Sequence, residues 1–520
     1  MEQILLNAFI LLLLFGNINL SMLFYLHMFQ LNSYQFLSHL HWIKSKWLKD
    51  IVFRNIWLVI PVVISFSQNA VLLITGILIS CLIMVRVNRK REYKKPLKYT
   101  KRLTRLLITT GILNLLFALI TIRFFAFMQA VIALSIWTFL LPFIIYLANL
   151  INQPMELAIN QSYINRAKRK LAEMKNLKII GITGSYGKTS TKYFLNKLLS
   201  VKYNVVMTPG NFNTTLGVVK TVLEHINATH EIFLCEMGAR HVKDIKKICD
   251  VVHPQYGIIS SIGPQHLETF FNMENIINTK FELADALPEE GKIFLNYDNQ
   301  YIQNHATKKK KIKYGCQAKE LDYKAENIRV TAKGSAFTIR LKNGETQEFR
   351  TKLIGKHNVE NIAGAIAVAH EFGISLEELV YPVKTLEAVP HRLQLIKGNT
   401  ATIIDDAYNS NPIGARAALE TLGSFEGTKI LITPGMVELG AKENELNYEF
   451  GCEAARVCDY IVLVGSTQTQ YIKKGIQSEN FAETNLIVVE SFQEGMQRIA
   501  ELQTKQEKVV LIENDLPDNY

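Results

Sequence analysis

Gly184-Ser185-Tyr186-Gly187-Lys188-Thr189-Ser190-Thr191 is the segment whose residue types most directly imply chemistry. An apolar, β-branched run, Leu177–Thr183, leads into it, and a helical pattern, Lys192–Leu199, leads out. A strand that turns through glycines into a helix starting at Lys-Thr is a cradle for phosphate. Backbone N–H groups at the helix start face the anion, the Lys188 ammonium reaches the β- and γ-phosphates, and the Thr189 hydroxyl ligates magnesium. The longer nucleotide loop has a glycine five positions before Gly187. Ile182 stands there, so the match is to a shorter form, TGxxGKT.

Such a loop needs a parallel sheet to carry it. The runs Glu231–Cys235 and Tyr256–Ile262 read as buried strands; Glu236 ends the first and His266 follows the second. Open α/β sheets collect ligands at strand C-termini, so Glu236 sits where a carboxylate can hold Mg2+. Taken singly, a solvated glutamate and a satisfied histidine are the ordinary readings. Asn275–Leu287 is helical in pattern and carries Lys280, by itself a solvated helix lysine. Asn358, after His357, opens a helical stretch to Phe372. Its amide offers the donor and acceptor that match an adenine edge, and helix N-capping is the competing role. From about Pro390 strands alternate with helices. Thr400–Asp405, Lys429–Thr433, Tyr460–Val464, Asn485–Val489 and Lys508–Ile512 read as strands of a doubly wound parallel sheet. The tandem Asp405-Asp406 ends the first of them. Neighbouring strand residues point apart, which argues against a paired general acid and base.

These residues also fall in an order. Thr183–Thr191; Gly210-Asn211-Phe212-Asn213 with Gly217; Glu236-Met237-Gly238; Ile262–Glu268; Lys280-Phe281-Glu282; Gly355–Asn361; His391-Arg392-Leu393; and Asp405–Pro412 span about 180 to 440. Together they resemble the Mur ligase family, and Asp-Asp-Ala-Tyr-Asn-Ser-Asn-Pro resembles its D-alanyl-D-alanine-adding (MurF) type. The resemblance implies a P-loop central domain, a Rossmann-like mobile C-terminal domain and ATP-dependent amide-bond formation. In that chemistry ATP converts a carboxylate to an acyl phosphate and an amine attacks it. Metal and cationic groups neutralise the charge that accumulates.

By the same resemblance, Gly184, Ser185, Tyr186, Gly187, Lys188, Thr189 and Ser190 bind the nucleotide phosphates, Asn358 the adenine and Asp406 the ribose hydroxyls. Thr189, Glu236 and His266 hold Mg2+, and a carbamylated Lys280 holds a second ion. Arg392, at the hinge, reaches the γ-phosphate when the domains close. Lys188, Lys280, His266 and Arg392 make up the catalytic set. Asn211, Asn213 and Thr214, with Tyr408, Asn409 and Asn411, line the substrate side of the closed site.

Composition bounds the rest. A chain of 520 residues exceeds one ordinary core. A hydrophobic share of 48% and a mean hydropathy of +0.10 are high for a soluble enzyme, and the excess lies in the first 150 residues. Ile4–Phe29, Ile56–Val87, Leu106–Phe125 and Phe127–Leu150 each approach or exceed the roughly 20 apolar residues that cross a bilayer. The last two are joined only at Phe125-Ala126 and must form a hairpin. Arg86–Arg105 then lies on the same side as everything after Asn152, and its basic residues place that side in the cytoplasm. Ile56–Val87 contains Ser65, Ser67, Gln68 and Asn69, so one tilted helix or two short re-entrant ones fit; the basic His39–Arg54 allows a fifth pass or an interfacial helix. Four spans are expected, with domains at 1–152 (transmembrane helices), 153–388 (ATP binding) and 389–520 (C-terminal). The net charge of +12 includes many basic residues flanking apolar spans, and no nucleic-acid module accompanies it. Nucleic acid is therefore not an expected partner. The six cysteines show no metal spacing and read as reduced thiols.

Two departures bear on substrate. Family enzymes begin with a small domain that grips the UDP end of their sugar nucleotide; here membrane helices and a short linker stand in that position. A lipid-linked or membrane-proximal carboxylate envelope precursor is therefore the expected acceptor. The sequence also stops at Glu513–Tyr520, before the family's last turn and helix, which leaves the amino substrate open between an amino acid and a dipeptide. Two other readings stand beside this one. A polymerising ligase like poly-γ-glutamate synthetase is opposed by Asp405–Pro412. A non-catalytic membrane scaffold is opposed by the intact Lys188, Thr189, Glu236, His266 and Lys280.

Overall fold

The computed structural model describes residues 2–46, 51–65, 70–89, 96–331, 333–398, 401–408 and 411–515. The chain forms two compact units, divided between Ser162 and Tyr163.

The first unit is helical. Among the described residues three helices are long and apolar enough to cross a membrane: Asn7–Leu31, Lys101–Phe124 and Phe127–Glu173. Within the expected span Ile56–Val87, helices cover Val59–Ser65 and Ala70–Arg89. Residues 66–69, and residues 90–95 of the basic connector, lie outside the described residues. The expected span Ile56–Val87 thus falls partly outside the described residues.

The hairpin at Phe125-Ala126 is present, and its two arms are cross-linked by polar pairs. Arg105 grips Glu156 with two bonds of 2.6 and 2.8 Å, and Thr109 donates to Asn152 at 2.8 Å. Trp137 donates to Asn114 at 3.0 Å and stacks on Phe117 with ring centroids 3.8 Å apart. The stripe Ile108, Ile112, Leu115, Leu119 and Ile122 of the first arm is exposed. The second arm is one helix of 47 residues through Pro142 and Pro154, joining the expected span to the expected linker helix Asn160–Lys175. Prolines are tolerated in membrane helices, where neighbouring groups satisfy the freed carbonyls.

The second unit holds two sheets. The larger has nine strands: β1 Lys178–Thr183, β2 Val205–Met207, β3 Ile232–Glu236, β4 Tyr256–Ile259, β5 Lys292–Asn296, β6 Lys310–Gly315, β7 Tyr323–Thr331, β8 Gly334–Leu341 and β9 Thr346–Thr351. Their order is β2-β3-β1-β4-β5-β6-β7-β8-β9, parallel through β7 and antiparallel beyond it. The smaller contains β10 Gln394–Lys397, β11 Ala401–Asp406, β12 Thr428–Thr433, β13 Tyr460–Val464, β14 Leu486–Val489 and β15 Lys508–Glu513, in the order β10-β11-β15-β12-β13-β14. It is parallel except where β10 pairs antiparallel with β11. In the larger sheet the chain crosses from β3 past β1 to β4, and at such a crossover open α/β sheets form a crevice outside the strand C-termini. Glycines seat the helix Met273–Ala286 against the sheet. Gly181 and Gly257 are cross-strand partners, and a β-carbon on either would meet Leu283 or Ile293 at 2.6 Å.

That packing sets the position of Lys280, three residues before Leu283. Gly181→Val is expected to lower stability by about 1–3 kcal/mol through overpacking. Leu283→Ala in the same chain should recover part of the loss. Thermal unfolding of both variants checks this, and additive losses would show that the two side chains do not compete for the same space.

Candidate active site

The phosphate loop is built by its neighbours. Gly187 takes a left-handed φ of +80° at the helix N-cap, and a β-carbon there would come 2.6 Å from Asn361 Oδ1. The segment after β4 buttresses the loop from below. The Ser185 N–H donates to the Ser261 carbonyl at 2.6 Å, and the Ser185 hydroxyl bonds both the carbonyl and the N–H of Gly263. Ser260 donates to the Tyr186 carbonyl at 2.5 Å, and Tyr186 donates its hydroxyl to the Ile262 carbonyl at 3.1 Å. Ser185 and Tyr186 therefore shape the loop through structural bonds, while Lys188, Thr189 and Ser190 start the helix Lys188–Leu199. Lys188 Nζ lies over the loop, 2.7 Å from the Gly184 carbonyl and 3.0 Å from that of Ser185.

Glu236 is the centre of the crevice. One oxygen accepts from the Thr189 hydroxyl at 3.1 Å and from the Asn213 amide at 3.0 Å; the other lies 2.9 Å from Lys192 Nζ. Burial pushes its carboxyl up, but Lys192 and Lys188 outweigh burial and hold it below the ordinary value. Lys192 was not among the residues singled out by the sequence. It is fully buried and also donates to the carbonyls of Thr208 and Gly210, tying the Gly210–Asn213 loop to the helix one turn past Thr189. Lys188 is brought down to about 8 by burial, against the pull of Glu236 and with the push of Arg392. Lys280 is 1% exposed and held well below the ordinary lysine value, first by burial and then by Lys188.

The second sheet contributes Arg392. Its guanidinium lies 4.4 Å above the Tyr408 ring and donates to the Thr189 hydroxyl at 3.4 Å. The two aspartates hold the segment that aims it. His391 and Leu393 both have left-handed backbones, with φ of +59° and +46°. Asp405 pairs with His391 Nδ1 at 2.8 Å, and Asp406 accepts the Leu393 N–H at 3.0 Å. Burial raises the Asp406 carboxyl to about 6. Asp406, expected on ribose, thus has one oxygen engaged by the hinge backbone.

The other expected residues are placed as follows. His266 bonds Glu438 through Nδ1, and burial lowers its ring against the pull of that carboxylate. Asn358 is buried, with its amide donating to the Ile354 carbonyl at 2.8 Å; Asn361, three residues on, is the amide that lies against the loop, 3.3 Å from the Thr191 hydroxyl. Asn361 stands in the same quoted motif and was within reach of the sequence. Thr214 and Asn411 cap the helices Thr215–Glu224 and Pro412–Gly423. Asn211 is exposed, and Asn409 lies outside the described residues.

The oxygen donors at Thr189, Glu236 and Asn213 are hard ligands, the set that suits Mg2+. A different trio, Asp298, Cys316 and Glu360, brings its ligating atoms within 4.8 Å. There Asp298 already accepts the N–H groups of Cys316, Gln317 and Ala318, so it serves as the holder of a turn.

The family described as Mur ligase middle domain matches residues 182–369, and that described as Mur ligase, glutamate ligase domain, matches 391–513. The chain is 34% identical over 294 residues to the UDP-N-acetylmuramoyl-tripeptide–D-alanyl-D-alanine ligase of Bacillus subtilis, covering 55% of this chain and 62% of that one. It is 27% identical over 354 residues to the Escherichia coli enzyme of the same name, covering 66% and 78%. Among solved structures, MurF from Acinetobacter baumannii superposes with a TM-score of 0.62 at 26% identity, covering 68% of this chain and 77% of that one. MurF from Thermotoga maritima in complex with ADP gives 0.62 at 23%, covering 68% and 80%, a likeness of fold.

Lys188 is cationic below pH 8 and neutral above it, and phosphate binding favours the cation. The affinity of the full-length protein for ADP is expected to fall as pH rises through 8, approaching tenfold per unit beyond. Titration calorimetry between pH 7 and 9.5 checks it; a constant affinity would remove the Lys188 charge from nucleotide binding.

Proposed function

Because the chain belongs to the Mur ligase family, whose members are ATP-dependent ligases, we propose that it forms an amide bond between a carboxylate envelope precursor and an amino substrate at the cytoplasmic face of a membrane. The observation that carries this reading is the meeting of two domains over one loop: Arg392 reaches Thr189 while Thr189 bonds Glu236. A triphosphate set against Lys188 would have cations on both sides of its terminal group. Transfer of that group to a carboxylate gives an acyl phosphate, and the amine then displaces phosphate. Lys188 and Arg392 offset the charge that develops on the transferred phosphoryl group. Thr189, Glu236 and His266 would hold Mg2+, which supplies further charge neutralisation.

Lys280 suits carbamylation, because only a neutral amine adds to carbon dioxide and burial favours the neutral form of this one. The amino substrate is D-alanyl-D-alanine, on the strength of the relatives' names and the Asp405–Pro412 motif. The long apolar helices Asn7–Leu31, Lys101–Phe124 and Phe127–Glu173 favour a multi-pass protein whose acceptor is lipid-linked.

Full-length protein in detergent is expected to release phosphate from ATP when given D-alanyl-D-alanine and a muramoyl tripeptide, and to prefer the polyprenyl-linked acceptor over the UDP-linked one. Equal rates on both acceptors would reduce the helices to an anchor. Lys188→Ala should lower turnover about 10²–10³-fold, the usual loss for one charge-stabilising group. Lys280→Ala should be comparably slow, and normal turnover would take Lys280 out of the chemistry.

A further inference from the structure

The contact between His266 and Glu438 joins residues 172 positions apart, and no sequence signal marks it. Glu438 lies in the loop after β12, where three residues have left-handed backbones: Gly435 at +87°, Glu438 at +64° and Gly440 at +59°. Two of the three are glycine, which adopts that conformation without steric cost. At the third a side chain is kept although it is disfavoured there, and that side chain reaches His266, with Oε2 2.5 Å from Nδ1.

The loop is held firmly for this purpose. Asn447 bonds both the N–H and the carbonyl of Met436 at 2.9 Å, and Asn514 donates to the Gly435 carbonyl at 2.6 Å. Gly440 packs against the turn that follows His266; a β-carbon there would stand 3.5 Å from the Glu268 nitrogen. Arg240 lies 3.4 Å from the other Glu438 oxygen. His266 is itself left-handed, with φ of +52°. Both ends of the contact thus keep a side chain on a disfavoured backbone, as happens where surrounding structure fixes a functional geometry.

A histidine that ligates metal through one nitrogen usually donates its other N–H to a carboxylate, which fixes the tautomer and the ring plane. We propose that Glu438 is a positioning residue of this kind: it presents His266 Nε2 to the metal and makes the metal site of the first sheet depend on docking of the second. The inference rests on the reading of His266 as a metal ligand. An interdomain ion pair of purely structural role would affect unfolding temperature but not metal affinity.

The test uses full-length protein with ADP and Mn2+, reading bound Mn2+ by electron paramagnetic resonance in the parent, His266→Ala, Glu438→Ala, Glu438→Gln and the His266→Ala/Glu438→Ala double variant. His266→Ala and Glu438→Ala are each expected to weaken Mn2+ binding about 10–100-fold. Glu438→Gln, which keeps the size and an acceptor oxygen, should lose less, and the double variant should be no weaker than His266→Ala. Parental affinity in both Glu438 variants, or losses that multiply in the double variant, overturns the inference. Parental affinity in His266→Ala overturns the assignment of His266 and this inference with it; a loss in His266→Ala alone overturns only the role of Glu438.

Discussion

One buried carboxylate organises the ligase unit. Glu236 is 1% exposed, and around it the chain sets Lys192 in direct contact and Lys188 close enough to act on it. Arg392 adds further positive charge about Lys188. Gathering cations out of water is unfavourable. Lowering Lys188 from 10.5 to about 8 corresponds to about 3 kcal/mol of lost stability. The sign follows from the direction of the shift. The penalty is fully present below pH 8, where the lysine is charged in both states, and it is relieved as pH rises from 8 to 10.5. A polyanion in the crevice offsets the same penalty, so a site that is costly to fold is strongly disposed to bind a triphosphate.

The sheet makes this arrangement possible. β1, β3 and β4 are adjacent and parallel, and their C-termini carry the glycine loop, Glu236 and the Ser260–Gly263 segment. Each element does two things at once. The Ser260–Gly263 segment bonds the underside of the loop and leads on to His266. The helix Lys188–Leu199 presents Thr189 to Glu236 and, one turn later, Lys192 to the same carboxylate. Strand order and the helix that follows β1 together determine which charges meet.

Much of this was legible in the residues. A strand, two glycines and Lys-Thr place a glycine turn at the start of a helix, and an apolar run ending in Glu236 places that carboxylate at a strand tip. The hairpin at Phe125-Ala126 follows from its short connection. What was not legible depends on contacts between distant segments. Lys192 looks like any helix lysine until β3 brings Glu236 against it. Asn358 and Asn361 are equivalent in the motif until the helix Lys356–Glu371 is docked, when Asn361 turns to the loop and Asn358 to Ile354. The strands β7–β9 carry no chemical motif and pair among themselves, so only their alternating burial identifies them.

The hinge shows why the two domains act as one site. Arg392 stands between two left-handed residues, each fastened by one of the tandem aspartates at the end of β11. A left-handed residue costs about 1–3 kcal/mol unless its surroundings impose it. With His391 and Leu393 both fixed from the second sheet, the direction of Arg392 belongs to that sheet, while its target, Thr189, belongs to the first. Glu438 repeats the arrangement on the other side of the crevice, crossing from the second sheet to His266. Each domain thus carries groups whose geometry is completed only by the other. Arg392 and His266 are therefore each held by contacts that join the two sheets.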